Sequence, residues 1–373
     1  MSLTAEVAIV GGGIVGAACA CELVNQRVSV AVFERGFIGG GATAAGMGHI
    51  VVMDDSEAQF ALTRYSQTLW DDLESELPPS VEFERCGTIW VAADEEEMAE
   101  VRRKHTYYGE RGVASEILDA EELHQAEPNL SGSLRGGLRV PGDSVLYPPC
   151  AAAHLLSRAR QSGAKVHLGV AVEQIGRGAL RLASETVSAG FIINATGHGA
   201  PHLTAGISIK PRKGHLVITD RYPGMIRHQL VELGYLKSAH SLTRDSVAFN
   251  VQPRKTGQVL IGSSRQYNRD DPGVDVKILS RMLERAFDYL PALRSASTIR
   301  TWTGFRAATP DKLPLIGPHP DDPSLILAAG HEGLGITTSL ATGRLVADQI
   351  LGRRSEIPIE PYLPWRLMSD THA

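Results

Sequence analysis

Glycines at positions 11, 13 and 16, set between a short apolar run and a helix-period pattern, constrain this chain more than any other feature. Glu6-Val7-Ala8-Ile9-Val10 has strand length, the glycines interrupt it, and residues 14–26 carry apolar side chains at helical spacing (Ile14, Val15, Ala18, Leu23). Gly11 permits a tight turn, Gly13 lets a pyrophosphate approach the backbone, and Gly16 lets the helix pack closely on the strand. The first N–H groups of the helix, at the positive end of its dipole, then offer an anion site. A second strand over 28–33 ends at Glu34, 18 residues beyond Gly16, close to the ~20 expected of a ribose-binding carboxylate. Strand, glycines, helix, strand and acid in this order predict a dinucleotide-binding βαβ unit. A carboxylate at 34 opposes a 2′-phosphate, which disfavours NADP and leaves NAD and FAD open.

The chain has 373 residues, enough for two or three domains at ~100–200 residues each. Its formal net charge is −5 with no long basic run, which gives no support to a nucleic-acid surface. No stretch approaches the ~18 apolar residues of a membrane span. The N-terminus has no basic region ahead of its first apolar run, so we expect no signal peptide and a cytoplasmic protein. The four cysteines (Cys19, Cys21, Cys86, Cys150) form no CxxC spacing. We expect buried thiols, no metal site, and no iron–sulfur cluster unless a partner supplies one.

Beyond Glu34, residues 36–48 are nearly all small, as suits backbone running against a large flat ligand. Helical patterns follow over 56–77, closed by Pro78-Pro79, and over 94–111, 119–127 and 149–162. Strand patterns lie at 87–93, 165–168 and 187–194. From 210 to 306 strands alternate with turns around one helix near 276–290. The last units are a strand at 325–330 and a helix over 336–351. Nucleotide-binding signals at both ends and in the middle imply an α/β, Rossmann-like cofactor domain interrupted by insertions. We expect 1–77, 138–209 and 309–373 to form it, with 78–137 and 210–308 making an α+β substrate domain on an antiparallel or mixed sheet.

Five stretches in this order resemble the FAD-dependent D-amino-acid oxidase superfamily, in the branch of glycine oxidase and the sarcosine oxidases. They are Gly11–Glu34, Gly41–Met47, Asn194-Ala195-Thr196-Gly197, Trp302–Gly317 and Ala328–Thr337. The resemblance implies FAD, bound in a glutathione-reductase-type fold. The phrase from Ala45 to Asp55, together with residues 330–338, is most similar to the flavin-bearing beta subunits of multi-subunit amine dehydrogenases, the bacterial D-hydroxyproline dehydrogenases above all. By that resemblance FAD is held by Gly11, Gly13, Ile14, Val15, Gly16, Glu34 and Arg35, then by Thr43, Ala44, Ala45, Gly46, Met47 and Gly48. Val172, Thr196 and Gly197 follow, and then Gly330, His331, Gly333, Leu334, Gly335, Ile336 and Thr337. The glycines of this last stretch, placed before a helix, are expected to aim N–H groups at the flavin. His331 is read as positional. No cysteine follows Arg306 where monomeric sarcosine oxidase has its covalent link, so noncovalent FAD is expected.

Arg306 resembles the arginine that clamps the substrate carboxylate in glycine oxidase; a guanidinium offers two-pronged hydrogen bonds to such a group. His49 follows the small-residue stretch and is expected either to face the substrate and assist in taking an amine proton, or to be a satisfied structural histidine. Asn250 stands where glycine oxidase has a pocket tyrosine, and Gly333 where its flavin loop has a second arginine. The expected reaction is oxidation of an amino acid, most of all a cyclic secondary amine such as cis-4-hydroxy-D-proline, to the imino acid, with hydride passing from Cα to the flavin. No strong base is needed if the neutral amine binds. Electrons would leave through an alpha subunit and a small iron–sulfur or flavin subunit. The alternatives are a stand-alone glycine, sarcosine or D-amino-acid oxidase releasing peroxide, and a non-catalytic flavoprotein scaffold subunit.

Overall fold

The computed structural model describes residues 4–234 and 245–367. Two eight-stranded sheets carry the fold. In the first, the strand Thr4–Val10 sits between Thr186–Asn194 and Val30–Glu34, parallel to both. Val7, Ala8 and Ile9 are fully buried, which is why this strand reads as an unbroken apolar run and not as an alternating one. The sheet extends to Lys165–Leu168 on one side and to Asp322–Ala329 and Leu315–His319 on the other. The helix Ile14–Asn25 lies against two more, Pro148–Gln161 and Ser339–Ile350, and together they close the largest apolar core.

The second sheet runs in the order 298–308, 210–221, 258–265, 246–253, 229–232, 88–92, 136–140, 116–119. It is antiparallel except where 229–232 lies parallel to 88–92, so the sheet is mixed. One face is covered by the helix Val276–Tyr289 through Ile278, Met282, Ala286 and Tyr289. Trp90, Val231, Asn250 and Gly262 are successive cross-strand partners and share a face of this sheet. Directly paired residues always do so in a pleated sheet.

Several expectations shift at their edges. The helix expected from 336 begins at Ser339, because residues 335–338 form turns first. The 56–77 pattern is an α-helix over Glu57–Leu73 with a 3-10 turn over Glu74–Glu76. The boundary expected at 138 falls inside the strand Gly136–Val140, which belongs to the second sheet. Cys19 and Cys21 are buried, whereas Cys86 and Cys150 are only partly so, and all four are free thiols. No helix among the described residues is long and apolar enough to cross a membrane.

Candidate active site

A cleft of about 520 Å³ opens along both sheets, within the usual ~300–1,000 Å³ of small-molecule and cofactor sites. At one end it is walled by Gly11, Gly13, Ile14 and Val15, by Glu34 and Arg35, and by Val172, Thr196 and Gly197. Gly11 has φ +111°, and a Cβ there would lie 2.6 Å from the Ala195 carbonyl oxygen, so only glycine makes this turn. A Cβ on Gly16 would meet the Gly11 oxygen at 2.0 Å. Gly16 therefore serves helix–strand packing and does not itself line the cleft. The Ile14 N–H is taken by Thr43 Oγ1 at 3.1 Å, while those of Gly13 and Val15 find no acceptor among the described residues. The Glu34 carboxylate accepts from the Gly12 and Gly36 N–H groups, both at 2.7 Å. Its position is thus fixed with lone pairs left over for ribose hydroxyls.

The middle of the cleft is walled by Thr43, by Ala45 to His49, and by Gly330, His331, Gly333, Leu334, Gly335 and Ile336. Ala44 is exposed and lies off the wall. Thr337 also stands behind it, where its hydroxyl donates to the His49 carbonyl oxygen at 2.8 Å. The expected helix dipole is set back by the 335–338 turns, yet the N–H groups of Gly335, Ile336 and Thr337 have no acceptor among the described residues. They remain a donor set suited to an electron-rich ring. His331 donates to or accepts from Thr342 Oγ1 at 3.0 Å, and burial lowers its pKa to about 4, in keeping with a positional role.

The far end belongs to the second sheet. Arg306 and Arg212 are direct cross-strand partners, and both reach the cleft. Arg306 Nη1 donates to the Ser264 carbonyl at 3.0 Å. Its guanidinium lies over Gly214, where a Cβ would be 2.5 Å from Nη1. Gly304 makes room for Ala45 in the same way, at 2.3 Å from its Cβ. Two paired glycines on neighbouring strands thus make room, Gly214 for the guanidinium and Gly304 for Ala45. Arg212 is buried and forms an ion pair with Glu332 of the 330–335 loop, with its guanidinium 4.8 Å from the Tyr267 ring centre. Gly333, which carries no second arginine, faces the Arg306 stem.

Asn250 is 8 % exposed and its Oδ1 has no partner among the described residues, so an acceptor is buried in the wall awaiting a donor. His49 is half-buried and its Nε2 is likewise unpartnered. Burial drives its pKa down to about 3, which makes it a neutral hydrogen-bonding group at physiological pH and a poor acceptor of an amine proton. The expectation that His49 takes such a proton therefore meets a physical obstacle.

Sequence reasoning did not find Trp90, Val231, Arg212, Ser263, Gln229 or Glu332, all of which line the cleft. All but Glu332 come from distant strands with no motif of their own; Glu332 lies within the 328–337 stretch, where only the glycines drew attention. The only available signal was that Trp90 and Val231 sit on one parity of their strands, and this says nothing of which face meets a ligand.

The glycine turn, the fixed acid, the free N–H groups and the small-residue wall all fit FAD. The sequence matches the family model described as FAD dependent oxidoreductase (DAO) over residues 6–349. The chain is 30 % identical to glycine oxidase of Geobacillus kaustophilus, covering 96 % of each protein. It is 28 % identical to hydrogen cyanide synthase subunit HcnC of Pseudomonas aeruginosa, covering all of this chain and 99 % of that one. The crystal structure of L-proline dehydrogenase from P. horikoshii superposes with a TM-score of 0.88 at 26 % identity, over 98 % of both chains. This protein belongs to the DAO family of FAD-dependent oxidoreductases.

Proposed function

We propose that this enzyme oxidises a small α-amino acid at its C–N bond, with Arg306 binding the carboxylate. The observation that carries this reading is the Arg306 guanidinium, seated in the cleft wall over Gly214 and tethered to the Ser264 carbonyl. A planar two-pronged cation at that point orients one carboxylate against the wall formed by residues 45–49. FAD, held noncovalently, supplies the two-electron acceptor when bound; among the described residues no cysteine lines the cleft. The neutral His49 and the Asn250 oxygen are suited to hydrogen-bond the substrate's nitrogen, and the amine reaches the site already deprotonated. Noncontiguous segments, 4–77, 141–209 and 309–367, would hold the cofactor, with the second sheet holding the substrate.

The substrate we favour is a cyclic secondary amine such as cis-4-hydroxy-D-proline, and the setting a cytoplasmic dehydrogenase complex in which this chain is the flavin-bearing beta subunit. The likeness of the chain to a protein named as a subunit of hydrogen cyanide synthase supports the second part. A glycine oxidase relative at 30 % identity supports the second reading, a stand-alone oxidase. The test is to add cis-4-hydroxy-D-proline, D-proline, sarcosine and glycine to the purified flavoprotein without oxygen and follow flavin absorbance, then admit air. Bleaching by any of them, lost in Arg306→Ala while FAD stays bound, supports the reading. Slow recovery in air favours a dehydrogenase and fast recovery an oxidase. No bleaching by any of them, alone or with co-purified partners, would leave a scaffold flavoprotein.

A further inference from the structure

We infer that Trp90, braced from behind by the buried Lys104, is the wall that grips the hydrocarbon part of the substrate. Lys104 is then a positioning residue, and the preferred substrate is an α-amino acid with an apolar ring or side chain, not glycine; this rests on the amino-acid reading above. Trp90 lines the cleft on the same sheet face as Asn250, two strands away, ~10 Å across the sheet. Val51, Met53, Val231 and Leu334 surround it and also line the cleft. This end is therefore mostly apolar, with Gln229 at its edge, while the end bearing Arg306 is cationic. An amino acid with a hydrocarbon part meets both chemistries; glycine uses only one.

On its other side Trp90 meets the helix Glu95–Glu110. Lys104 is fully buried, and its Nζ lies 4.6 Å from the Trp90 ring centre and 5.2 Å from that of Tyr108. It is ion-paired with Asp54, which also takes Arg103 at 2.6 Å. The Tyr108 hydroxyl donates to the Val52 carbonyl at 3.0 Å. One helix thus fixes Trp90 and the 51–55 segment together. Trp90 Nε1 is buried with no hydrogen-bond partner among the described residues, so the cation against its face sets the ring's orientation and no hydrogen bond does. For stability alone, apolar residues of similar volume would serve as well as a buried ion pair.

The experiment uses the holoenzyme and compares D-proline with glycine. It reads kcat and KM for each, and the Kd of the unreactive pyrrole-2-carboxylate and of acetate from the change in flavin absorption. Trp90→Ala should lower the proline-to-glycine ratio of kcat/KM about tenfold or more, with Trp90→Phe within about threefold of the native protein. Lys104→Met, and the charge-balanced Lys104→Met/Asp54→Asn should the first not fold, should raise KM for D-proline and Kd for pyrrole-2-carboxylate while leaving the acetate Kd unchanged. Equal losses on both substrates, or an unchanged ratio in Trp90→Ala, would overturn the inference while leaving the enzyme an amino-acid oxidoreductase. A native protein that neither bleaches with any amino acid nor binds either carboxylate would overturn the functional reading and this inference with it.

Discussion

Replacing Gly214 by alanine tests the role of Arg306 without touching Arg306. The new Cβ would stand 2.5 Å from Nη1 and 3.0 Å from both Cζ and Nη2. The obstructing atoms are the far end of a flexible side chain, so the backbone can stay and the guanidinium must retreat. Restoring ordinary contact moves it roughly 1 Å and strains its 3.0 Å bond to the Ser264 carbonyl. A 1 Å misplacement of a group that positions substrate costs about 10²-fold in turnover, or about 2.7 kcal/mol of transition-state stabilisation. Stability should hold, since Gly214 lies in a regular strand and alanine reduces the freedom of the unfolded chain. Gly333→Ala is the matched control. Its Cβ would meet the Arg306 stem at 3.6–3.7 Å, an ordinary contact, and kcat/KM should stay within about threefold of the native value. The assay is kcat/KM on the best amino-acid substrate alongside FAD content and melting temperature. A Gly214→Ala protein with full FAD and native kinetics would refute the placement of Arg306 on the substrate carboxylate. Loss of FAD would instead show that the face serves the cofactor.

Two further outcomes follow from a buried carboxyl group, Asp143, and from the Glu34 carboxylate. Burial pushes Asp143 up to about 7 against the hydrogen bonds it accepts from the Val52 N–H and Gln67 Nε2. With the folded pKa above the unfolded ~3.9, stability falls as pH rises from about 4 to about 7, by up to about 4 kcal/mol, and stays reduced above that. The melting temperature of Asp143→Asn minus that of the native protein should therefore grow from pH 4 to 7 and level off; a pH-independent difference would contradict this. Glu34→Ala removes the carboxylate that holds the Gly12 and Gly36 N–H groups, and should weaken FAD binding about 10- to 100-fold in titrations of the apoprotein. An unchanged Kd would move the ribose elsewhere.

The cofactor half was legible because its chemistry is local in the chain. Gly11, Gly13, Gly16 and Glu34 lie within one βαβ unit, whose strand–turn–helix geometry depends on neighbours in sequence. The small-residue stretch before His49 was legible for the same reason, although Ala44 and Thr337 lie behind the wall they were expected to form. Helix ends were less legible. The apolar pattern runs back to Ile336, but the Gly330–Gly335 loop closes through the turns at 335–338 before the helix starts at Ser339. Strand patterns across 210–306 were visible, whereas their pairing was not.

The sequence by itself determined an FAD-binding chain, and it picked out the acid at 34, the 330–336 loop and the arginine at 306, all of which reach the cleft. Each depends on spacing along the backbone, and periodicity carries that information directly. Only the tertiary structure decided that Arg212, opposite Arg306, is paired with Glu332, 120 residues away, that Gly214 and Gly304 make the space Arg306 and Ala45 occupy, and that Lys104 lies behind Trp90. It also decided that His49 is neutral, since burial and not residue type sets its pKa. These features depend on strand register and on what is excluded from water, and both are settled only when segments far apart in the chain close on one another.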